Sequence, residues 1–203
     1  MKIYFARHGE SQANLLHIIS NQSLPHGLTN AGREQAARLA EHLQDHSIIS
    51  IYTSPLQRAV ETANILAKRL QMDYQITDGL REYDCGIAEG RSDEAAWHLW
   101  QAEYDAWTIN RDYDYRIEGG ESFETVHQRF ISFINGLVKT NVANDFGVVC
   151  ISHGGIYSLM FPSIMHNVSP AMMMQYGFGY TSYIFAEPTP GGLRCVEWNG
   201  VVV

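Results

Sequence analysis

The chain has 203 residues, 45% of them hydrophobic and 18% charged, which is enough apolar material for one substantial core and too much for a disordered chain. A formal charge of -8 argues against a nucleic-acid or anionic-membrane surface, where basic residues would dominate. Yet only Lys2, Lys68 and Lys139 of the fourteen basic residues are lysine, and the arginine fork fits phosphate and carboxylate oxygens, so a small anionic substrate stays open.

Lys2-Ile3-Tyr4-Phe5-Ala6 reads as a short buried strand ending on Arg7-His8-Gly9-Glu10. In α/β proteins ligands collect at the carboxyl ends of strands, although Arg-His-Gly alone is equally an ordinary strand-to-loop junction. Residues 11–28 are polar and punctuated by Asn14, Asn21, Pro25 and Gly27, which predicts a long loop with at most one helical turn. A helix follows over 29–44, capped by Thr29, with Ala36, Leu39, Ala40 and Leu43 at helical spacing. Residues 48–52 predict a second strand. Ser54-Pro55 then supplies a cap and a first-turn proline for a helix to Leu70.

Strands are predicted at 74–76 and near Leu80, then a glycine-containing loop over 84–90 and a helix over 92–107. Residues 108–120, rich in Tyr, Asp and Arg, read as a surface loop, and 91–121 as a whole as a lid inserted into a single domain spanning 1–203. Phe123, Val126, Phe130, Ile134 and Leu137 mark an amphipathic helix that leads into a buried strand at 147–151, which ends in Ser152-His153-Gly154-Gly155. A helix over 155–165 should bend or stop at Pro162. The uncharged stretch 167–186 reads as core and loop, with late strands at 181–186 and 192–198. Alternating strands and helices predict a three-layer α/β/α sandwich with a largely parallel central sheet.

Two strands thus end in His-Gly, where glycine lets a ligand approach the backbone closely. Arg58, in Ser54-Pro55-Leu56-Gln57-Arg58-Ala59, falls in the first turn of a helix whose amino terminus also favours anions. Together Arg7-His8-Gly9-Glu10-Ser11 with Asn14, Leu28-Thr29 with Gly32 and Gln35-Ala36, Ser54-Pro55-Leu56 with Arg58-Ala59 and Thr62-Ala63, and Ser152-His153-Gly154-Gly155 resemble the histidine phosphatase superfamily (phosphoglycerate mutase-like) in order and spacing. The resemblance implies that His8 attacks phosphorus and forms a phosphohistidine, while Arg7, Asn14, Arg58 and His153 hold the phosphoryl oxygens. It implies a proton donor in Leu80-Arg81-Glu82-Tyr83-Asp84-Cys85-Gly86; Glu82 is the choice, with Glu10 and Asp84 as competitors. Ala88 departs from the family pattern, which commonly has a large aromatic before Glu89.

Tyr83 after the glutamate, thirty residues between Gly90 and Glu121, and Gly119-Gly120-Glu121-Ser122 are more similar to the phosphatase branch than to mutases. Hydrolysis of a small soluble phosphomonoester is therefore the expectation. The alternatives are mutase-type phosphoryl transfer and a phosphate-binding signalling module with vestigial catalysis. Trp97, Trp100, Tyr104, Trp107, Tyr113 and Tyr115 either form a specificity cap or pack a helix on the core. Arg111 and Arg116 either reach a second anionic group or pair with Asp112, Asp114 and Glu118.

No cofactor or metal is implied: His42 and His46 lack further ligands, and Gly177-Phe178-Gly179 lacks a third glycine. Cys85, Cys150 and Cys195 are odd in number and without CxxC spacing, as for reduced thiols. Arg7 and His8 cut short any signal-peptide core, and Pro170, Gln175 and Ser182 interrupt any membrane span. A cytoplasmic monomer or homodimer is expected, with no nucleic-acid or membrane partner.

Overall fold

The computed structural model describes residues 1–22, 24–141 and 146–203. The strands are β1 (Lys2–Arg7), β2 (Ile48–Thr53), β3 (Tyr74–Ile76), β4 (Gly147–Ser152), β5 (Tyr183–Thr189), β6 (Gly192–Trp198) and β7 (Val201–Val202). The helices are α1 (Gln12–Leu15), α2 (Asn30–Leu43), α3 (Gln57–Leu70), α4 (Glu94–Asp105), α5 (Phe123–Asn141), α6 (Gly154–Ile164) and α7 (Pro170–Tyr176). Among the described residues the strands form one sheet in the order β3-β2-β4-β1-β5-β6-β7. β1 to β4 run parallel and β5 to β7 add antiparallel pairs.

The two-residue period of the central strands explains the three layers. Ile3, Phe5, Val148 and Cys150 face one way and pack with Val126, Phe130, Ile156 and Met160 of α5 and α6. Tyr4, Ala6, Val149 and Ile151 face the other way onto Ala36, Leu39, Ala59 and Ala63 of α2 and α3. Because α2 follows β1 on one face and α6 follows β4 on the opposite face, the chain changes direction between these adjacent strands. Such a switch point opens a crevice at the carboxyl ends of the strands.

Local chemistry accounts for the elements that differ from expectation. α3 begins at Gln57, two residues beyond Pro55, because Ser54 Oγ accepts from the Leu56 amide and holds a turn ahead of the helix. The strand predicted near Leu80 is a 3-10 turn (Asp78–Leu80), with Thr77 Oγ1 accepting from Gly79 N. A second such turn, Gly86–Ala88, sits in the predicted loop 84–90. α4 is capped by Asp93 and continues into a π-helical turn (Ala106–Asn110). α6 runs through Pro162 to Ile164, so the proline lies in its last turn rather than stopping it. Within 167–186 lies the unexpected α7, where Ser169 Oγ caps the Met172 amide and Pro170 takes the first position. Thr181 has φ of 54°, which delays β5 to Tyr183. The loop 11–28 holds the single-turn α1, with Ser23 outside the described residues. Among the described residues no helix is long and apolar enough to cross a membrane.

Candidate active site

Arg7 of β1 lies opposite Ser152 of β4, so the next residues, His8 and His153, leave the sheet side by side. Their rings are 5.0 Å apart and both are buried. His8 Nδ1 lies 2.6 Å from Gly9 O and donates to it, leaving the lone pair on Nε2; Arg58 Nε donates to that Nε2 at 3.1 Å. Burial, reinforced by the charges of Arg58 and Arg7, holds His8 well below the usual imidazole range, so the ring is neutral. His153, the N-cap of α6, is likewise pushed down by burial and then by Arg58. Its Nε2 meets Ser54 Oγ at 2.7 Å, and that hydroxyl hydrogen has no other acceptor among the described residues, so it turns to His153 and the imidazole proton sits on Nδ1.

The guanidinium of Arg58, in the first turn of α3, is tied down by Ser20 O at 2.6 Å and by a longer contact to Asn21 Oδ1 at 3.5 Å. Burial lowers it to about 10, with Glu82 and Glu89 opposing the fall, so it remains charged. Arg7 donates from Nη1 to Phe178 O at 2.8 Å and stacks over Tyr180 at 4.7 Å. Arg7 Nε and His153 Nδ1 are buried with no hydrogen-bond partner among the described residues. An unsatisfied buried donor costs about 1–3 kcal/mol, so two of them beside a second arginine mark a place built for an external acceptor.

Glu82 faces the same space. Its carboxylate accepts from Gly155 N at 2.9 Å, Ile156 N at 2.6 Å and Tyr83 N at 3.2 Å, anchoring it to the start of α6. Burial nevertheless raises its pKa, outweighing Arg58 and these amides. A Cβ at Gly155 would stand 2.8 Å from Glu82 Oε2 and from Tyr83 Cε1, which leaves no room for a side chain there, and one at Gly154 would press on Arg7 Cζ at 3.2 Å. The segment around Glu82 is clamped from α5. Arg129 donates to the carbonyls of Arg81 and Glu82 and to both oxygens of Glu121, whose Oε2 also accepts from Asp84 N.

A cavity of about 160 Å3 brings Arg7, His8, Asn14, Arg58, Glu82 and His153 together. Asn14 completes the capping box of Ser11 at the start of α1, its Oδ1 accepting from Ser11 N, which leaves its amide nitrogen without a hydrogen bond among the described residues. Glu10 accepts from Thr29 Oγ1, and Asp84 accepts from Gly86 N and Gln22; neither lines the cavity. Arg111 and Arg116 are exposed and also outside it. Ala88 is buried in the core, while Trp97 and Trp100 both pack on the core and line the cavity; Trp107 is core alone. Ser20, Asn21, Ser54 and Glu89 escaped sequence reasoning. Glu89 accepts from Asn21 N and Cys85 N and so ties the 20–21 loop to the Glu82 segment. A larger surface cleft of about 830 Å3 along α3 and β3, lined by Lys68, Asp73 and Tyr74 among others, holds none of these residues.

The chain is 37% identical over 137 residues to fructose-2,6-bisphosphatase TIGAR B of Danio rerio and 34% identical over 132 residues to probable phosphoglycerate mutase GpmB of Salmonella choleraesuis. These alignments cover 66% and 64% of this chain but only 51% and 59% of the relatives, so it matches about half to three-fifths of their length. The alpha-ribazole phosphatase structure from Shigella flexneri superposes with a TM-score of 0.79 at 26% identity, covering 100% of this chain and 98% of that one. The family model of the histidine phosphatase superfamily (branch 1) matches residues 3–201, and the chain belongs to that superfamily.

Proposed function

We propose that the protein is a metal-independent phosphomonoesterase for small soluble esters, working through a phosphohistidine on His8. The observation that supports this most is the pairing of an unprotonated His8 Nε2 with buried, unpartnered donors on Arg7 and His153. A phosphoryl group placed there receives in-line attack from His8 Nε2 while Arg7, Arg58, His153 Nδ1 and the Asn14 amide hold its non-bridging oxygens. Arg58 Nε already lies against the attacking nitrogen, so its donor passes to a phosphoryl oxygen as the N–P bond forms. Glu82, whose pKa burial raises, gives its proton to the leaving alkoxide, then takes one from the water that cleaves the phosphohistidine. Residues 91–121 form the cap over this site within a single domain.

Hydrolysis of p-nitrophenyl phosphate in the presence of a chelator tests the reading: wild-type protein should turn over and His8→Ala should not. Equal rates in the two would overturn it. Mutase chemistry is the second reading, favoured by the likeness to probable phosphoglycerate mutase. Interconversion of 2- and 3-phosphoglycerate without phosphate release would establish it instead, and tight phosphoester binding without any turnover would indicate a binding module.

A further inference from the structure

Beyond the phosphoryl-binding end, the cavity changes character. Its outer wall comes from α1, the loop after it and α4, as Ala13, Ile18, Ile19, Trp97 and Trp100. Several polar groups beside them are already committed to the protein. Ser20 Oγ bonds to His26 and Ser20 O to Arg58; Asn21 Nδ2 donates to Cys85 and its Oδ1 faces Arg58. The indole N–H of Trp97 donates to His17 O at 2.9 Å, so this ring offers carbon surface while stitching α4 to the α1 loop. Trp97 meets Trp100 edge to face at 5.7 Å, and Trp100 stacks on Tyr104 at 5.4 Å with planes 12° apart. The aromatic wall is therefore held in place before anything binds.

Apart from Arg7 and Arg58, which take the phosphoryl group, no arginine or lysine among the described residues lines the cavity. Arg81 and Arg129 are paired with Glu121, Arg91 is paired with Asp93, and Arg111 and Arg116 are exposed outside the cavity. A carboxylate or second phosphate pressed against Ile18, Ile19 and two indoles would lose its hydration with no cation in exchange. At about 160 Å3 the cavity is also well below the roughly 300–1,000 Å3 of clefts for drug-sized ligands, which favours a compact group.

We infer that the substrate is a monophosphate ester whose carbon part is compact, uncharged and apolar or aromatic, gripped by Trp97, Trp100, Ile18 and Ile19, and not a bisphosphate or a phosphorylated carboxylic acid. The inference rests on the phosphomonoesterase reading for its chemistry but makes its own claim about the wall. Non-hydrolysable phosphonates separate the two. By calorimetry on the full chain, benzylphosphonate should bind at least about tenfold more tightly than 3-phosphonopropionate, the discrimination an apolar pocket supplies. Trp100→Ala should erase most of that ratio and Trp100→Phe should keep it. Equal or reversed affinities, or a ratio untouched by Trp100→Ala, would overturn the inference whatever the turnover results.

In turnover the matched comparison is benzyl phosphate against O-phosphoserine and 3-phosphoglycerate, all alkyl esters. The benzyl ester should lead in kcat/KM by a similar factor, and a lead for either charged ester would count against the wall. A protein that binds benzylphosphonate with the expected preference yet hydrolyses no ester would refute the phosphatase reading and leave the wall assignment standing.

Discussion

Two hydrogen bonds at His8 decide which nitrogen can react: Gly9 O takes the Nδ1 proton and Arg58 Nε faces the lone pair of Nε2. The neighbouring carboxyl is perturbed in the opposite sense, since burial lowers His8 and raises Glu82. The rate consequences follow from the signs. His8 stays neutral well below pH 6.5 and gives no acid limb near its ordinary value, whereas Glu82 must be protonated to act as acid, so kcat/KM should fall on the alkaline side as it ionises. A pH–rate profile with an alkyl phosphate checks this. Glu82→Gln should lose the alkaline limb and roughly 10²–10⁴ in kcat. Glu10→Gln and Asp84→Asn should keep the limb, because neither carboxylate lines the cavity; loss of the limb in either would reassign the acid. His8, His153 and Arg58 were legible because each follows a strand end with a short motif. Arg58's principal anchor was not, since Ser20 O is a backbone atom and carries no residue signature.

The elements hold these groups through close approach more than through flexible side chains. α6 begins against Glu82, with the amides of Gly155 and Ile156 on its carboxylate and no room for a Cβ at Gly155. Gly155→Ala should therefore displace Glu82 or Tyr83, lowering kcat about 10²-fold and stability by about 1–3 kcal/mol. Kinetics and urea unfolding read the two effects separately, and wild-type values in both would refute the tight fit. Most helices and strands were readable from apolar spacing and caps. α7 is hidden in the sequence although Ser169-Pro170 is a cap followed by a first-turn proline, because the uncharged run around it shows no amphipathic period. Trp97 and Trp100 show the limit of periodicity. Three-residue spacing puts both on one face of α4, but only the tertiary fold shows that this face both packs on the core and lines a cavity.

Across the whole molecule, sheet order does what no local motif can: β1 and β4, about 140 residues apart in sequence, become neighbours in register, which unites His8 with His153. Placing two neutral imidazoles in the interior couples stability to pH. Unfolded, each titrates near 6.5, and folded, both lie well below. The unfolded chain therefore binds more protons below pH 6.5, so their contribution to stability is complete above that value and is lost as pH falls toward the folded pKa values. Glu82, with a raised folded pKa, acts in the opposite sense and offsets part of the fall. Urea unfolding between pH 7 and pH 5.5 should show declining stability, with a slope shallower by up to one proton in His153→Gln; an unchanged slope would contradict the assignment. Covalent catalysis at His8 is tested by rapid quench of the enzyme turning over a phosphomonoester, followed by peptide mass spectrometry under conditions that preserve acid-labile phosphate. One phosphoryl group should appear on His8, absent in His8→Ala, forming and decaying fast enough to lie on the path; turnover with no phosphoenzyme at His8, or with the phosphoryl group on another residue, would refute covalent catalysis there.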